Sequence, residues 1–256
     1  MRHTESQPVG IRRSRRNLMK VGAIAASAAL AAGKRTRAQT SISPAVRRCF
    51  FRGTTILTAQ GGRRIEDLAV GDLLPAVFGG TRPIQWIGRY PFKKSDPAAA
   101  WVEDVLPVRV VRSALGPDVP ITDLLLSRAH ALLLDGVLVP VANLINGTTI
   151  AVWDARALDE LEYFHIKLEA HDVIYAEGVP CETLRNVDET AVNFAEYLRR
   201  YGPHSCDSAA CAPLIGSGRR IEVTSRLRSA ISPWFDRRQK FDVIRDKLEE
   251  GEPVLG

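Results

Sequence analysis

The chain has 256 residues, 45% of them hydrophobic, and a formal charge of +6, enough for one large or two small domains with an adequate core. Its basicity is local: residues 1–38 hold nine Lys or Arg and one Glu, a net of +8, which leaves −2 for everything downstream. A nucleic-acid partner therefore loses its electrostatic basis and is not expected.

The leader runs Ser14-Arg15-Arg16-Asn17-Leu18-Met19-Lys20, then an apolar stretch from Val21 to Ala32, then Lys34, Arg35 and Arg37. An arginine pair ahead of a mildly hydrophobic, Ala-rich segment is similar to a twin-arginine export signal over residues 1–38. The apolar stretch of 12 residues falls short of the ~20 needed to span a bilayer. Membrane contact is thus expected only through this segment during export. Thr36-Arg37-Ala38 presents small residues where a signal peptidase inspects, and cleavage after Ala38 would leave an exported protein, periplasmic or extracellular, in a bacterium. Four cysteines, Cys49, Cys181, Cys206 and Cys211, are too few for a disulfide scaffold. Cys206 and Cys211 are near enough to pair if their loop folds back, and three connectivities stay open for a fully paired set.

Residues 39–48 form a short extended linker, with Pro44 opposing a helix. From Cys49 the chain alternates through Thr54, Thr55, Ile56, Leu57 and Thr58, turns at Gly61 and Gly62, and closes on Ile65, Leu68 and Gly71-Asp72, the pattern of a half-buried strand and turn. A further strand is expected over 81–90, with Ile84, Trp86 and Ile87 facing in. A surface loop follows over 93–101, where Pro97 breaks the chain. Val108, Val110 and Val111 begin another β-rich stretch. Residues 121–134 (ITDLLLSRAHALLL) would pass for a buried helix by periodicity, but Asp135-Gly136 and Val137-Leu138-Val139 follow at once and favour a hairpin. Leu144 and Gly147 then repeat the spacing of Leu68 and Gly71. Phe164, Ile166 and Leu168 alternate with His165, Lys167 and Glu169, a strand with one apolar face that turns His165 toward solvent. His171-Asp172 precedes a strand at 173–176, ended by Gly178. Beyond Val187, a helix is expected over 191–201, a small-residue loop over 206–211, and amphipathic helices over 219–231 and 235–250 that pack on the β domain or a partner.

Three of these stretches together resemble the Hint domains, the self-processing modules of hedgehog proteins and inteins. In that family a first-position Cys attacks the peptide bond on its own N-terminal side, and a GT-x-I strand and an L-x-x-GD turn follow. Cys49, Gly53, Thr54, Ile56, Leu68, Gly71 and Asp72 match. Ser127-Arg128-Ala129-His130 resembles the family's T-x-x-H block, with Ser in place of Thr. His171 before a strand and Glu177-Gly178-Val179 resemble the late block and its N-G-V turn. The resemblance implies a mainly β, horseshoe-like domain over 49–185 with an internal pseudo-twofold, and leaves 186–256 as a partly helical C-terminal extension. It also implies roles: Cys49 as nucleophile, His130 beside the Arg48–Cys49 bond, Ser127 hydrogen-bonding and polarising that bond, and His171 assisting resolution of the thioester. Inteins that splice end in Asn followed by Cys, Ser or Thr. Here Glu182-Thr183 stands at that place and Asn186 is displaced, so full splicing is not expected.

A free thiol titrates near ~8.5 and is mostly protonated at neutral pH, so a nearby His must take its proton and protonate the departing nitrogen. The leading expectation is an N-to-S acyl shift by Cys49 on the Arg48–Cys49 bond, giving a thioester and self-cleavage, with the chain's own N-terminal segment as substrate. The alternatives are a secreted Hint scaffold that does not process, and a cysteine hydrolase acting in trans through Cys49 and His130. No cofactor is implied. Cys206 and Cys211, with His204 nearby, lack a second pair at zinc-ligand spacing. Phosphate-loop and lipase-elbow motifs are absent, since Gly216-Ser217-Gly218 lacks the elbow spacing.

Overall fold

The structure, a computed structural model, describes residues 48–187, 189–202, 209–215 and 240–255. The expected signal segment, the linker before Arg48, His204, Cys206 and the helix expected over 219–231 lie outside the described residues.

The described residues form fourteen strands in two antiparallel sheets, with two short helices. The first sheet has the order β11 (Ile150–Val152), β7 (Val108–Val110), β8 (Leu124–Leu126), β1 (Phe50–Phe51), β12 (Glu160–Lys167), β6 (Trp86–Lys93). The second runs β10 (Val137–Pro140), β9 (Ala131–Leu134), β14 (Val179–Glu182), β13 (Val173–Ala176), β2 (Thr55–Thr58), β3 (Gly61–Arg64). Strand β4 (Leu73–Ala76) branches from β13 and carries β5 (Gly80–Pro83).

Local chemistry explains most of these elements. Asp135 and Gly136 both take positive φ, 47° and 76°, the tight two-residue turn whose twist suits a hairpin, and β9 pairs with β10 around it. The leucine run looks helical because β9 is buried on both faces. Leu132 and Leu134 enter the main core, while Ala131 and Leu133 pack in a smaller cluster with Ala212. The turn expected at Gly61 and Gly62 falls instead at Ala59-Gln60, and the glycines open β3. A Cβ on Gly62 would lie 2.8 Å from the Thr55 methyl across the hairpin. The strand expected over 81–90 is two strands, because Ile84 N donates to Asp72 O and Gln85 N donates to Lys167 O, partners in different elements. The repeat of Leu68/Gly71 by Leu144/Gly147 is structural. Each follows a hairpin, each comes after or within a short 3-10 turn (Ile65–Asp67 and Val141–Leu144), and each ends in a positive-φ glycine.

The main core draws on both sheets through Phe50, Ile56, Leu126, Phe164, Ile166 and Ile174. A second cluster lies on the other face of the first sheet, where Cys49, Phe51, Trp86 and Tyr163 gather and Trp86 meets Tyr197 of α1 (Phe194–Tyr201) edge-on. The Asn193 side chain pins that helix to β6, donating to Ile87 O and accepting from Arg89 N. The helix starts three residues later than expected. Helix α2 (Lys240–Glu250) docks on the β domain through Ile244 and Leu248, which join the main core. Residues 209–215 carry an unforeseen pairing: Leu138 N donates to Pro213 O and Ile215 N to Leu138 O, so this strap lies along the β10 edge.

Candidate active site around Cys49

Strand β1 has only two residues, yet it lies between β8 and β12, with Phe50 opposite both Leu126 and Phe164. Fully burying Phe50 contributes about 1.5–3 kcal/mol and holds β1 in this register. One residue toward the N-terminus, the same registers set Cys49 between Ser127 and His165. Directly opposed residues in antiparallel strands share a face at ~4.5–5.5 Å between Cα atoms. On the Ser127 side the ladder is closed by two bonds, Cys49 N to Ser127 Oγ at 2.5 Å and Ser127 N to Cys49 O at 2.9 Å. Cys49 is wholly buried.

His130 follows β8 in a turn closed by its own N–H on Ser127 O, and its carbonyl accepts from Val141 N. The ring is wholly buried, 4.3 Å from the Phe50 ring and 5.6 Å from that of His165, centroid to centroid. Burial lowers its pKa to about 4, against the opposing pull of the Glu182 carboxylate and the Arg48 backbone. The imidazole is therefore neutral at pH 7. Although the Arg48 backbone is close enough to act on it, neither ring nitrogen completes a hydrogen bond among the described residues. Such near-miss geometry is common before a reaction tightens a site.

His165 corrects the expected solvent-facing position. It is 1% exposed, because the second cluster covers the face of β12 that alternation assigned to water. Its pKa is held well below the usual histidine value, first by burial, then by His130, Arg48 and His171, while the Thr183 backbone opposes. Its Nε2 has no hydrogen-bond partner among the described residues. The signal that would have found it is the cross-strand register with Cys49, which sequence alone does not supply.

His171 is also buried, at the turn before β13. Its Nδ1 accepts from Cys211 N at 3.1 Å, and its Nε2 lies 3.6 Å from Glu182 Oε2. Glu182, which in the sequence stands only as a departure from the splicing pattern, is a second unforeseen site group. It is 1% exposed at the end of β14; Oε1 accepts from Ala131 N at 2.9 Å and Oε2 from Arg48 Nη1 at 3.4 Å. Burial alone would raise its pKa, but His171, His130, Arg48 and the Ala131 N–H together bring it below the ordinary value. A lone acid in an apolar strand (Val179-Pro180-Cys181-Glu182) was the available clue, since a buried carboxylate needs partners.

The residues named from sequence thus fall in one neighbourhood: Ser127 on the Cys49 amide, His130 by the Arg48 backbone, and His171 across Glu182, which also holds Arg48. Asp172 turns the chain, its carboxylate accepting from Phe78 N, Val173 N and Arg82 Nε. Among the described residues the other two thiols are poor nucleophiles. Burial drives Cys181 well up, and it drives the half-buried Cys211 to about 11. Cys211 is a free thiol, and Cys206, its candidate partner, lies outside the described residues. Among the described residues no group of three or more His, Cys, Asp or Glu is placed to hold a metal ion.

A two-sheet β domain whose first strand directly follows a buried cysteine, flanked by a hydroxyl and imidazoles, defines an intein-like class of module. The family model described as Hint domain matches residues 48–188, more than half of the chain, and the chain belongs to that family. Solved structures similar to it include the gp41-1 intein (16% identity, TM-score 0.35, 52% of this chain and 97% of that one). Another is a DnaB intein from Synechocystis sp. PCC 6803 (11%, 0.36, 53% and 98%). A third is a bacterial intein-like domain from Clostridium thermocellum (12%, 0.35, 54% and 99%). No curated protein matches the chain.

Proposed function

We propose that this chain processes itself at the Arg48–Cys49 bond. Cys49 Sγ attacks the Arg48 carbonyl carbon, the thiol proton passes to the open Nε2 of His165, and the C–N bond breaks as that same proton is passed on to Cys49 N. The product is a thioester between Arg48 and Cys49, which water or another nucleophile opens, releasing the N-terminal segment without splicing. His130, neutral and beside the Arg48 backbone, stabilises charge developing on the carbonyl. Ser127 orients the scissile amide through its Oγ. His171 assists thioester resolution from its place beside Glu182. The observation that carries this reading is the three-strand register that aligns Ser127, Cys49 and His165, with His130 at the carbonyl side. Export through the twin-arginine-like leader, to the periplasm or beyond, belongs to the same proposal and rests on the leader sequence.

Intact-mass spectrometry of the full chain, with and without hydroxylamine or a thiol and beside Cys49→Ala, tests it. A fragment beginning at Cys49 in the parent and absent from the variant is the expected result. An unchanged mass under every condition replaces the proposal with a Hint scaffold that binds without processing, a role that the complete burial of Cys49 also fits.

A further inference from the structure

The family match ends at residue 188, yet one donor to the site lies beyond it. The strap 209–215 is fixed by its two backbone hydrogen bonds to Leu138 and by Ala212, 8% exposed among Ala131, Leu133, Leu138 and Val173. That anchoring aims the Cys211 N–H at His171 Nδ1, 3.1 Å away. A neutral imidazole carries one donor and one acceptor, and which nitrogen bears the proton follows from the partner of the other. A backbone donor at Nδ1 makes that nitrogen the acceptor and leaves the proton on Nε2. Nε2 in turn faces Glu182 Oε2 at 3.6 Å, the oxygen that also meets Arg48 Nη1 at 3.4 Å.

We infer that the C-terminal strap is part of the working site: the Cys211 main-chain N–H is a positioning group that selects the Nε2-protonated tautomer of His171 and aims that proton at Glu182. The role of His171 in resolving the thioester rests on the proposed function above; the choice of tautomer does not. The Cys211 thiol takes no part. This separates two substitutions at one position: Cys211→Ala keeps the N–H, and Cys211→Pro removes it.

The test uses the full chain in a Cys49→Ala background, labelled with 15N-histidine, and reads the tautomer of each imidazole from long-range proton–nitrogen correlations. With Cys211→Ala, His171 is expected to show only the Nε2-protonated form. With Cys211→Pro it is expected to shift to the Nδ1-protonated form or an averaged one, with the His130 and His165 signals unmoved as the control for folding. Should Cys211→Pro fail to fold, amide exchange reads the same bond from its other end. Protection of the Cys211 N–H is then expected to fall by roughly tenfold in His171→Leu, which offers no acceptor. An unchanged tautomer in a folded Cys211→Pro, or unchanged Cys211 protection in His171→Leu, overturns the inference. In the chain that retains Cys49, Cys211→Pro is further expected to slow unassisted cleavage by up to ~10²-fold while hydroxylamine-driven release persists. If the parent never cleaves, the processing reading falls, and the nitrogen spectra still decide the role of the strap.

Discussion

His130 ties the electrostatics of the site to a stability measurement. Burial takes its imidazole from 6.5 to about 4. Between those values the unfolded chain binds a proton that the folded domain refuses, so stability falls as the pH drops through the window and returns as it rises. At 1.36 kcal/mol per pH unit, the whole window is worth about 3 kcal/mol, and the step from pH 7 to pH 5 about 2 kcal/mol. Glu182, lowered below the ordinary carboxylate value, titrates beneath this step and leaves it undisturbed. Replacing His130 by Gln removes the titration and keeps a neutral polar side chain. Urea unfolding of the full Cys49→Ala chain at pH 7 and pH 5, with and without His130→Gln, is the assay. The parent is expected to lose about 2 kcal/mol more than the variant on acidification. Equal losses in the two proteins would mean that His130 is not held neutral by burial, and the neutral-imidazole role assigned to it at the Arg48 carbonyl would go with it.

Other outcomes follow from the same geometry. His165→Leu is expected to slow hydroxylamine-released cleavage by ~10²–10⁴-fold, the range of a positioned general base, whereas Cys181→Ala leaves the rate unchanged; mass spectrometry over time reads both. Ser127→Ala leaves the buried Cys49 N–H without its side-chain acceptor and should cost about 1–3 kcal/mol in urea unfolding, a loss that Ser127→Thr spares. Glu182→Ala should destabilise the fold far more than Arg48→Ala, because it strands the Ala131 N–H, while the Arg48 side chain is 39% exposed and solvent already weakens its pairing. Comparable unfolding midpoints for the two would contradict the central place given to Glu182.

The motifs that marked the domain are local in sequence, so they could be read there. Gly53, Gly71, Gly136 and Gly178 sit at turns needing positive φ. The Asp135-Gly136 pair announced its hairpin, and the spacing of Leu68/Gly71 and Leu144/Gly147 announced a repeated hairpin-and-turn unit that the structure contains. Cys49, Ser127, His130 and His171 could be named because each lies in such a motif. His165 and Glu182 could not, since their importance depends on what lies across the sheet. Alternation assumes one wet face, and β12 has none: the second cluster, closed by Tyr197 of α1, buries it on both sides.

The amino-acid sequence by itself determined the class of module, and it placed Cys49, Ser127, His130 and His171 in local motifs. Only the tertiary structure decided which groups face that cysteine, because register across β8, β1 and β12 is a long-range choice set by burial of Phe50, Leu126 and Phe164 in a shared core. It likewise decided that a strap beyond the matched domain reaches His171. A backbone N–H carries no sequence signature, and its direction is fixed only by the edge strand on which the strap lies.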